Sequence, residues 1–216
     1  MLNEKRHAVR ISDLQREENY SDYLRLLQDN DYLDVTYDDA SGGVSAVHKY
    51  HKFDKQVGPY GLRRGEYERR AVEVLRKNGY RVILESELSR METKLCDGYL
   101  NDIPMEIKAV EGDGTWAVCT KLHNASKQHA QCAVLFFPDS ECYSEFRVKD
   151  GLRLYLSSPE SKKEPCPDYI IAIAGDKLAF CWDKKATPIE GWSIEEGLRG
   201  QNGADPFTIP PSDAKV

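Results

Sequence analysis

The chain has 216 residues, 40% of them hydrophobic, and carries 30 Lys and Arg against 36 Asp and Glu, a net charge of −6. That length suits one domain with appendages, or at most two small domains. No apolar run approaches the ~18 residues of a membrane span, and an acidic balance argues against attraction to nucleic acid by overall charge.

The opening, Met1-Leu2-Asn3-Glu4-Lys5-Arg6, leads into polar text, so no secretory signal is expected. The six cysteines, at 96, 119, 132, 142, 166 and 181, are widely spaced and contain no Cys-x-x-Cys. That spacing predicts reduced thiols in a cytosolic chain, not a disulfide frame or a zinc site.

In chain order, residues 4–30 read as helical, with Val9, Ile11, Leu14, Tyr20, Tyr23, Leu24 and Leu27 as an irregular apolar set. Asp38-Asp39-Ala40-Ser41-Gly42-Gly43 is a turn or linker, and residues 44–58 fit neither period. Glu66–Asn78 is a clear helix: Tyr67, Ala71, Val74 and Leu75 form one stripe, and Asn78-Gly79 closes it. Arg81–Leu84 is a strand. The text from Leu95 to Val110 reads as two short apolar strands turned at Asn101-Asp102. Trp116–Thr120 is expected as a further strand and Leu122–Gln131 as a helix. The buried strand Cys132–Phe137 follows, then a helix over Glu141–Leu156 and a polar loop over Ser157–Pro167. Tyr169–Ile173 and Lys177–Trp182 form a hairpin through Gly175-Asp176, and the tail around Asp205–Pro211 is extended or disordered. There is no internal repeat. This order predicts an α/β fold, a mixed central sheet flanked by helices, with its core over roughly residues 60–140. The expected division is an N-terminal helical or linker segment at 1–58, an α/β domain at 59–185, and an irregular extension at 186–216.

The chemistry concentrates in the middle hairpin. Alternation puts Met105, Ile107 and Ala109 on one face of their strand and Glu106 with Lys108 on the other. A carboxylate and an ammonium within apolar text are costly to bury unless paired or bound to a metal. The turn brings Asp97 beside them. Two converging carboxylates repel, and a hard cation such as Mg²⁺ relieves the repulsion. On the preceding helix, Glu68 lies at the edge of the apolar stripe in one row with Val72 and Leu75, and Glu66 lies on the opposite edge. Taken singly, each residue has a plain structural account: an ion pair to Arg64 or Arg70 for the helix glutamates, a turn for Asp97, a cross-strand pair for Glu106 and Lys108.

Together, in this order and frame, they resemble the PD-(D/E)XK nuclease superfamily. Gly65-Glu66-Tyr67-Glu68-Arg69-Arg70-Ala71, Gly79-Tyr80-Arg81-Val82, Cys96-Asp97-Gly98-Tyr99-Leu100, Met105-Glu106-Ile107-Lys108 and Ala125-Ser126-Lys127-Gln128 resemble, more narrowly, the tRNA-nuclease C-terminal domain of contact-dependent growth-inhibition toxins. Similar domains occur fused to phage minor-head proteins. The resemblance covers about residues 44–150. It implies that Asp97, Glu106 and the Ile107 carbonyl hold Mg²⁺, or another divalent cation such as Mn²⁺, with Glu68 reaching the metal directly or through water. It implies that Lys108 orients or deprotonates the attacking water, and that Lys127 or Gln128 contacts the scissile phosphate. It further implies a tRNA substrate, an immunity protein or phage structural protein as partner, no membrane association, and a cytoplasmic site of action in a bacterial or phage context. The family's proline before the aspartate is Cys96 here.

Two other features concern substrate and rival chemistry. Arg63, Arg64, Arg69 and Arg70, together with the Lys121–Lys127 helix, form the expected RNA entry surface, set apart from the acidic Asp29–Asp39 segment. His48 and His51 would serve a histidine-based ribonuclease, although a surface or structural role is the simpler expectation. His123 and His129 have poor spacing for a shared metal. Trp116, Phe136, Phe137 and Trp182 are expected in the core. A DNA-cleaving nuclease of restriction or repair type and a non-catalytic phage or toxin-associated module with the same fold are the alternatives.

Overall fold

A computed structural model describes residues 12–86, 96–159, 161 and 163–186. The expected helical residues 4–11, Leu95 at the head of the hairpin, and the tail from 187 onward lie outside the described residues. Among the described residues, eight strands form a single mixed sheet whose spatial order equals the chain order. They are β1 Tyr32–Tyr37, β2 Val44–His48, β3 Arg81–Leu84, β4 Gly98–Leu100, β5 Ile103–Ala109, β6 Cys132–Phe137, β7 Tyr169–Ala174 and β8 Lys177–Asp183. β2 runs parallel to β3, and β5, β6 and β7 are mutually parallel; the other neighbours are antiparallel. The α-helices among the described residues are α1 Asp13–Leu27, α2 Arg64–Lys77, α3 Thr115–Lys127 and α4 Glu145–Ser157. The protein is therefore mixed α/β.

Two apolar cores lie on the two sheet faces. Tyr67, Ala71, Val74 and Leu75 of α2 pack on Met105, Ile107, Val134, Phe136, Ile171 and Ile173. The opposite face buries Ala133, Leu135, Phe137, Ile170 and Ala172 under Val118, Leu122 and Ala125 of α3 and Val148, Leu152 and Tyr155 of α4. The alternation along β6 and β7 thus assigns every second residue to each core.

Local signals explain several boundaries. Ser12 caps α1, its hydroxyl accepting from the Gln15 N–H at 3.1 Å. Gly79 closes α2 at φ 87°, a left-handed conformation that glycine adopts without strain. Asn101 and Asp102, at φ 47° and 67°, make the two-residue turn of the β4–β5 hairpin. The side-chain oxygen of Asn101 also accepts from the Arg81 N–H at 2.8 Å, tying the turn to β3.

Three sequence expectations are corrected. Trp116–Thr120 is the first part of α3, not a strand. Val118, Cys119, Leu122, Ala125 and Ser126 are its buried residues, and the helix packs on α4, while Trp116 is 68% exposed and outside the core. Packing against α4 overrides the local strand preference. Residues 32–37 and 44–48 are strands β1 and β2 of the same sheet, not linker, and the turn expected at 38–43 joins them. The sheet consequently runs from Tyr32 to Asp183, well beyond residues 60–140. Finally, the helix expected from Glu141 starts at Glu145 behind the Ser144 cap, with a 3₁₀ turn at Ser140–Cys142 before it.

The N-terminal helix is fixed to this frame by a buried polar residue. Asn19 is fully buried, and its Nδ2 donates to the carbonyls of Gly42 at 2.9 Å and Gly79 at 3.2 Å. Replacing it with Leu leaves both carbonyls without that donor. Asn19→Leu is expected to lower stability by about 2–4 kcal/mol in urea unfolding, the usual cost of stranding one or two buried polar groups. A loss below about 0.5 kcal/mol would mean that the α1 attachment does not depend on these bonds.

Candidate active site

β4 is only three residues long, and its backbone pairing with β5 ends at Gly98–Met105. Beyond that point the ladder is replaced by a reciprocal side-chain pair. The Asp97 N–H donates to Glu106 Oε2 at 2.9 Å, and the Ile107 N–H donates to Asp97 Oδ2 at 2.9 Å. Each carboxylate caps the backbone of the other strand, so the strands diverge with two acids in the gap. Gly98 permits the close approach of β4 to β3: a Cβ there would lie 2.0 Å from the Ile83 carbonyl oxygen. The Glu85 N–H continues this approach, donating to the Asp97 carbonyl at 3.0 Å.

Lys108, two residues along β5, donates through Nζ to Glu106 Oε1. Glu106 is wholly buried, and its carboxyl is pushed up to about 8, first by burial and second by the charge of Asp97, against the opposing pull of Lys108. The ion pair favours the charged form and burial the neutral one; burial dominates because the solvent it removes outweighs one ammonium.

Glu68 of α2 completes the cluster. Its side chain is 15% exposed and its Oε1 lies 2.8 Å from His51 Nε2. Burial raises its carboxyl above the ordinary range, the His51 bond lowers it, and the charge of Asp97 raises it again. Lys108 also acts on it electrostatically. Glu66 is exposed, in keeping with its place on the other edge of the helix stripe. Arg64 does not serve the helix glutamates. It makes a two-pronged bond to Glu111, Nε to Oε1 at 3.0 Å and Nη2 to Oε2 at 2.7 Å.

The expected phosphate-binding residues separate. Lys121 of α3 is within electrostatic reach of Lys108, Arg64 and Glu111, and its ammonium is lowered by burial, with the two cations adding to that and Glu111 opposing it. Lys127 is exposed in the last turn of α3, roughly 9 Å further along the helix axis. Gln128 is the C-cap, and its Oε1 is buried rather than presented to solvent. Arg69 stacks on Phe53, its guanidinium 3.8 Å from the ring centroid, and pairs with Asp34 at 3.3 Å.

That last pair corrects the expected separation of acidic and basic segments. Asp31 pairs with Lys49 at 2.6 Å and Asp38 with Arg76 at 3.5 Å. β1 lies at the sheet edge beside β2, which brings Asp34 within it and Asp31 and Asp38 at its two ends against the cations of α2 and residue 49. The histidine expectation also changes. His48 Nδ1 accepts from the Tyr50 N–H at 3.1 Å, whereas His51 turns into the acidic cluster, so the two form no acid–base pair. The sequence gives no signal that joins His51 to Glu68, because 17 residues with no helical or strand period separate them.

Carboxylate oxygens are the donors a hard divalent cation takes, and the charge of Asp97 acts on both Glu106 and Glu68, whose own charged forms burial disfavours. Both Glu106 oxygens are already engaged by protein donors, and an ion would compete with Lys108 for Oε1. Among the described residues, no three His, Cys, Asp or Glu side chains are gathered closely enough to hold an ion as they stand. No protein-family model, curated protein or solved structure matches the chain. No helix among the described residues is long and apolar enough to cross a membrane.

A carboxyl whose folded pKa lies above its unfolded value makes the unfolded chain release its proton first, so stability falls as pH rises between the two. For Glu106 that window runs from 4.5 to about 8. Raised Glu68 and raised His51 act in the same direction. The metal-free protein is expected to lose thermal stability from about pH 5 to about pH 8, and Glu106→Gln to flatten that decline. A melting temperature that rises across this range would contradict the upward shift of the Glu106 carboxyl.

Proposed function

We propose that the chain is a metal-dependent phosphodiesterase that cleaves nucleic acid, with tRNA as the substrate the family resemblance implies. The observation that supports this reading most directly is the reciprocal Asp97–Glu106 pair in the opened hairpin, with Lys108 on the same carboxylate. Asp97 and Glu106 would hold the divalent ion, with Glu68 approaching from α2. What Mg²⁺ or Mn²⁺ supplies when bound is a water of lowered pKa and compensation for phosphate charge. Lys108 is the partner that such an ion would displace from Glu106 Oε1. With Glu106 engaged by the ion, the Lys108 Nζ would donate to a non-bridging phosphate oxygen or orient the attacking water. Hydrolysis by water does not require a ribose 2′-OH, so the chemistry admits DNA as well, and both substrates belong in the assay.

The path of the substrate backbone follows from charge. An open groove of about 640 Å³ is lined by Lys52, Lys55, Arg63 and Arg69 against the acids Asp54 and Glu66. His51, whose buried ring bonds Glu68, is also a lining residue of this groove, which puts the groove next to the segment that reaches the acidic cluster. A net acidic protein needs such a local cationic track to receive a polyanion.

Purified protein incubated with total tRNA and with plasmid DNA in Mg²⁺ is expected to cleave tRNA, and EDTA to abolish cleavage. Asp97→Asn and Lys108→Met are expected to reduce kcat by about 10²–10⁴-fold, the range of lost acid–base and electrostatic assistance, while keeping a cooperative thermal transition. Undiminished cleavage by Asp97→Asn would end this reading.

Binding should fall steeply with salt, because cations that neutralise phosphates release counterions. Lys52→Glu with Arg63→Glu is expected to weaken tRNA binding. It should also reduce the slope of log affinity against log salt by about 0.7 for each phosphate no longer neutralised. An unchanged slope would place the backbone elsewhere.

A further inference from the structure

We propose that His51 is a positioning residue that fixes Glu68 beside Asp97 and Lys108, with its own ring locked in one orientation by the end of β3. The catalytic consequence rests on the phosphodiesterase reading above; the geometric claim does not.

The His51 side chain is 1% exposed, so its ring has no freedom to trade partners with water. Nδ1 lies 2.9 Å from the Glu85 carbonyl oxygen and Nε2 lies 2.8 Å from Glu68 Oε1. A carbonyl oxygen only accepts, so Nδ1 carries a hydrogen. The Nε2–Oε1 hydrogen bond then holds one proton, on either the imidazole or the carboxyl. In both forms the pair is neutral as a unit, and in both forms the bond is made. Glu68 is therefore held without adding an uncompensated charge beside Asp97 and Glu106.

Both anchors of the ring belong to the site. Glu85 is the residue whose N–H donates to the Asp97 carbonyl at 3.0 Å, so one residue carries His51 on its oxygen and Asp97 on its nitrogen. The Glu85 carboxylate in turn accepts from Tyr32 Oη at 2.9 Å, which ties that point to β1. The ring of His51 meets Phe53 edge-on, at 4.8 Å between centroids and 73° between planes. Phe53 bears Arg69 on its face at 3.8 Å. The histidine thus links the irregular segment at 49–63, helix α2 and the β3–β4 crossing. Metal-site carboxylates and histidines depend on such outer partners for orientation, and removing one typically costs about 10–100-fold in affinity or activity.

Two amide replacements separate the two bonds. In His51→Asn the amide nitrogen takes the place of Nδ1 and keeps the donation to Glu85, but nothing reaches Glu68. In His51→Gln the amide nitrogen takes the place of Nε2 and keeps the donation to Glu68. The experiment measures kcat and KM on tRNA in Mg²⁺ for both variants, with crystal structures of both. His51→Asn is expected to lower kcat about 10–100-fold at unchanged KM, with Glu68 rotated away from Asp97. His51→Gln is expected to restore most of kcat, with Glu68 in place. Equal losses in both variants, or Glu68 unmoved in His51→Asn, would overturn the proposal and leave His51 a packing residue. If the wild-type protein cleaves neither RNA nor DNA, the phosphodiesterase reading fails, and the position of Glu68 in the two structures still decides the positioning claim.

Discussion

A buried carboxylate must find donors, and Glu106 finds them in the backbone of Asp97 and the ammonium of Lys108. Asp97 answers by accepting from the Ile107 N–H, so two β-strands that stop pairing through their backbones remain tied through two acids. This exchange sets where the β4–β5 hairpin opens and keeps two repelling charges together in the gap. It also leaves Lys108 as their neutralising partner. The same exchange stores unfavourable electrostatics in the folded protein, since burial and the neighbouring Asp97 both push the Glu106 carboxyl toward its neutral form.

The irregular segment between β2 and α2 is built around the same cluster. Residues 49–63 contain one isolated bridge, Val57 to Arg63. Yet the segment places His51 between Glu68 and Glu85, and it supplies carbonyls of Asp54 and Gln56 to the first N–H groups of α2. Gly65 allows the segment to pass: a Cβ there would stand 2.6 Å from Phe53 Cβ. A loop that caps a helix and orients its glutamate has little freedom to vary, unlike most surface connections.

Charge is distributed by pairing rather than by segregation. The aspartates at 31, 34 and 38 are matched to Lys49, Arg69 and Arg76 across strand and helix. Asp38 and Arg76 are largely enclosed, while the pairs at 31 and 34 are exposed and add little stability. Their effect is on the field, because they mute the acidic stretch beside a groove lined by Lys52, Lys55 and Arg63. A polyanion meeting this face encounters a smaller net repulsion than the total charge of −6 suggests.

The α/β class, the α2 stripe, the Asn101-Asp102 turn and the two-residue spacing of Glu106 and Lys108 were all legible in the sequence. Each depends on short-range periodicity or on the backbone preferences of single residues, which any stretch of chain displays. The choice of Glu68 over Glu66 rests on the family resemblance together with the helical row it shares with Leu75, since both glutamates lie at edges of the apolar stripe. Trp116–Thr120 misled, because its local strand-like composition competed with a packing partner, α4, about 30 residues away. Residues 44–58 could not be assigned, because β2 is a strand only by virtue of its pairing with β1 and β3. That His51 meets Glu68, that Arg64 serves Glu111 and that Gln128 turns inward emerged only from the folded chain. Those arrangements join residues 17 to 47 positions apart, or depend on neighbours across the fold. They have no period, so no local pattern announces them. They exist because the folded sheet brings distant polar groups together: His51 meets Glu68 and Arg64 meets Glu111 as partners, while the Gln128 Oε1 is enclosed without one.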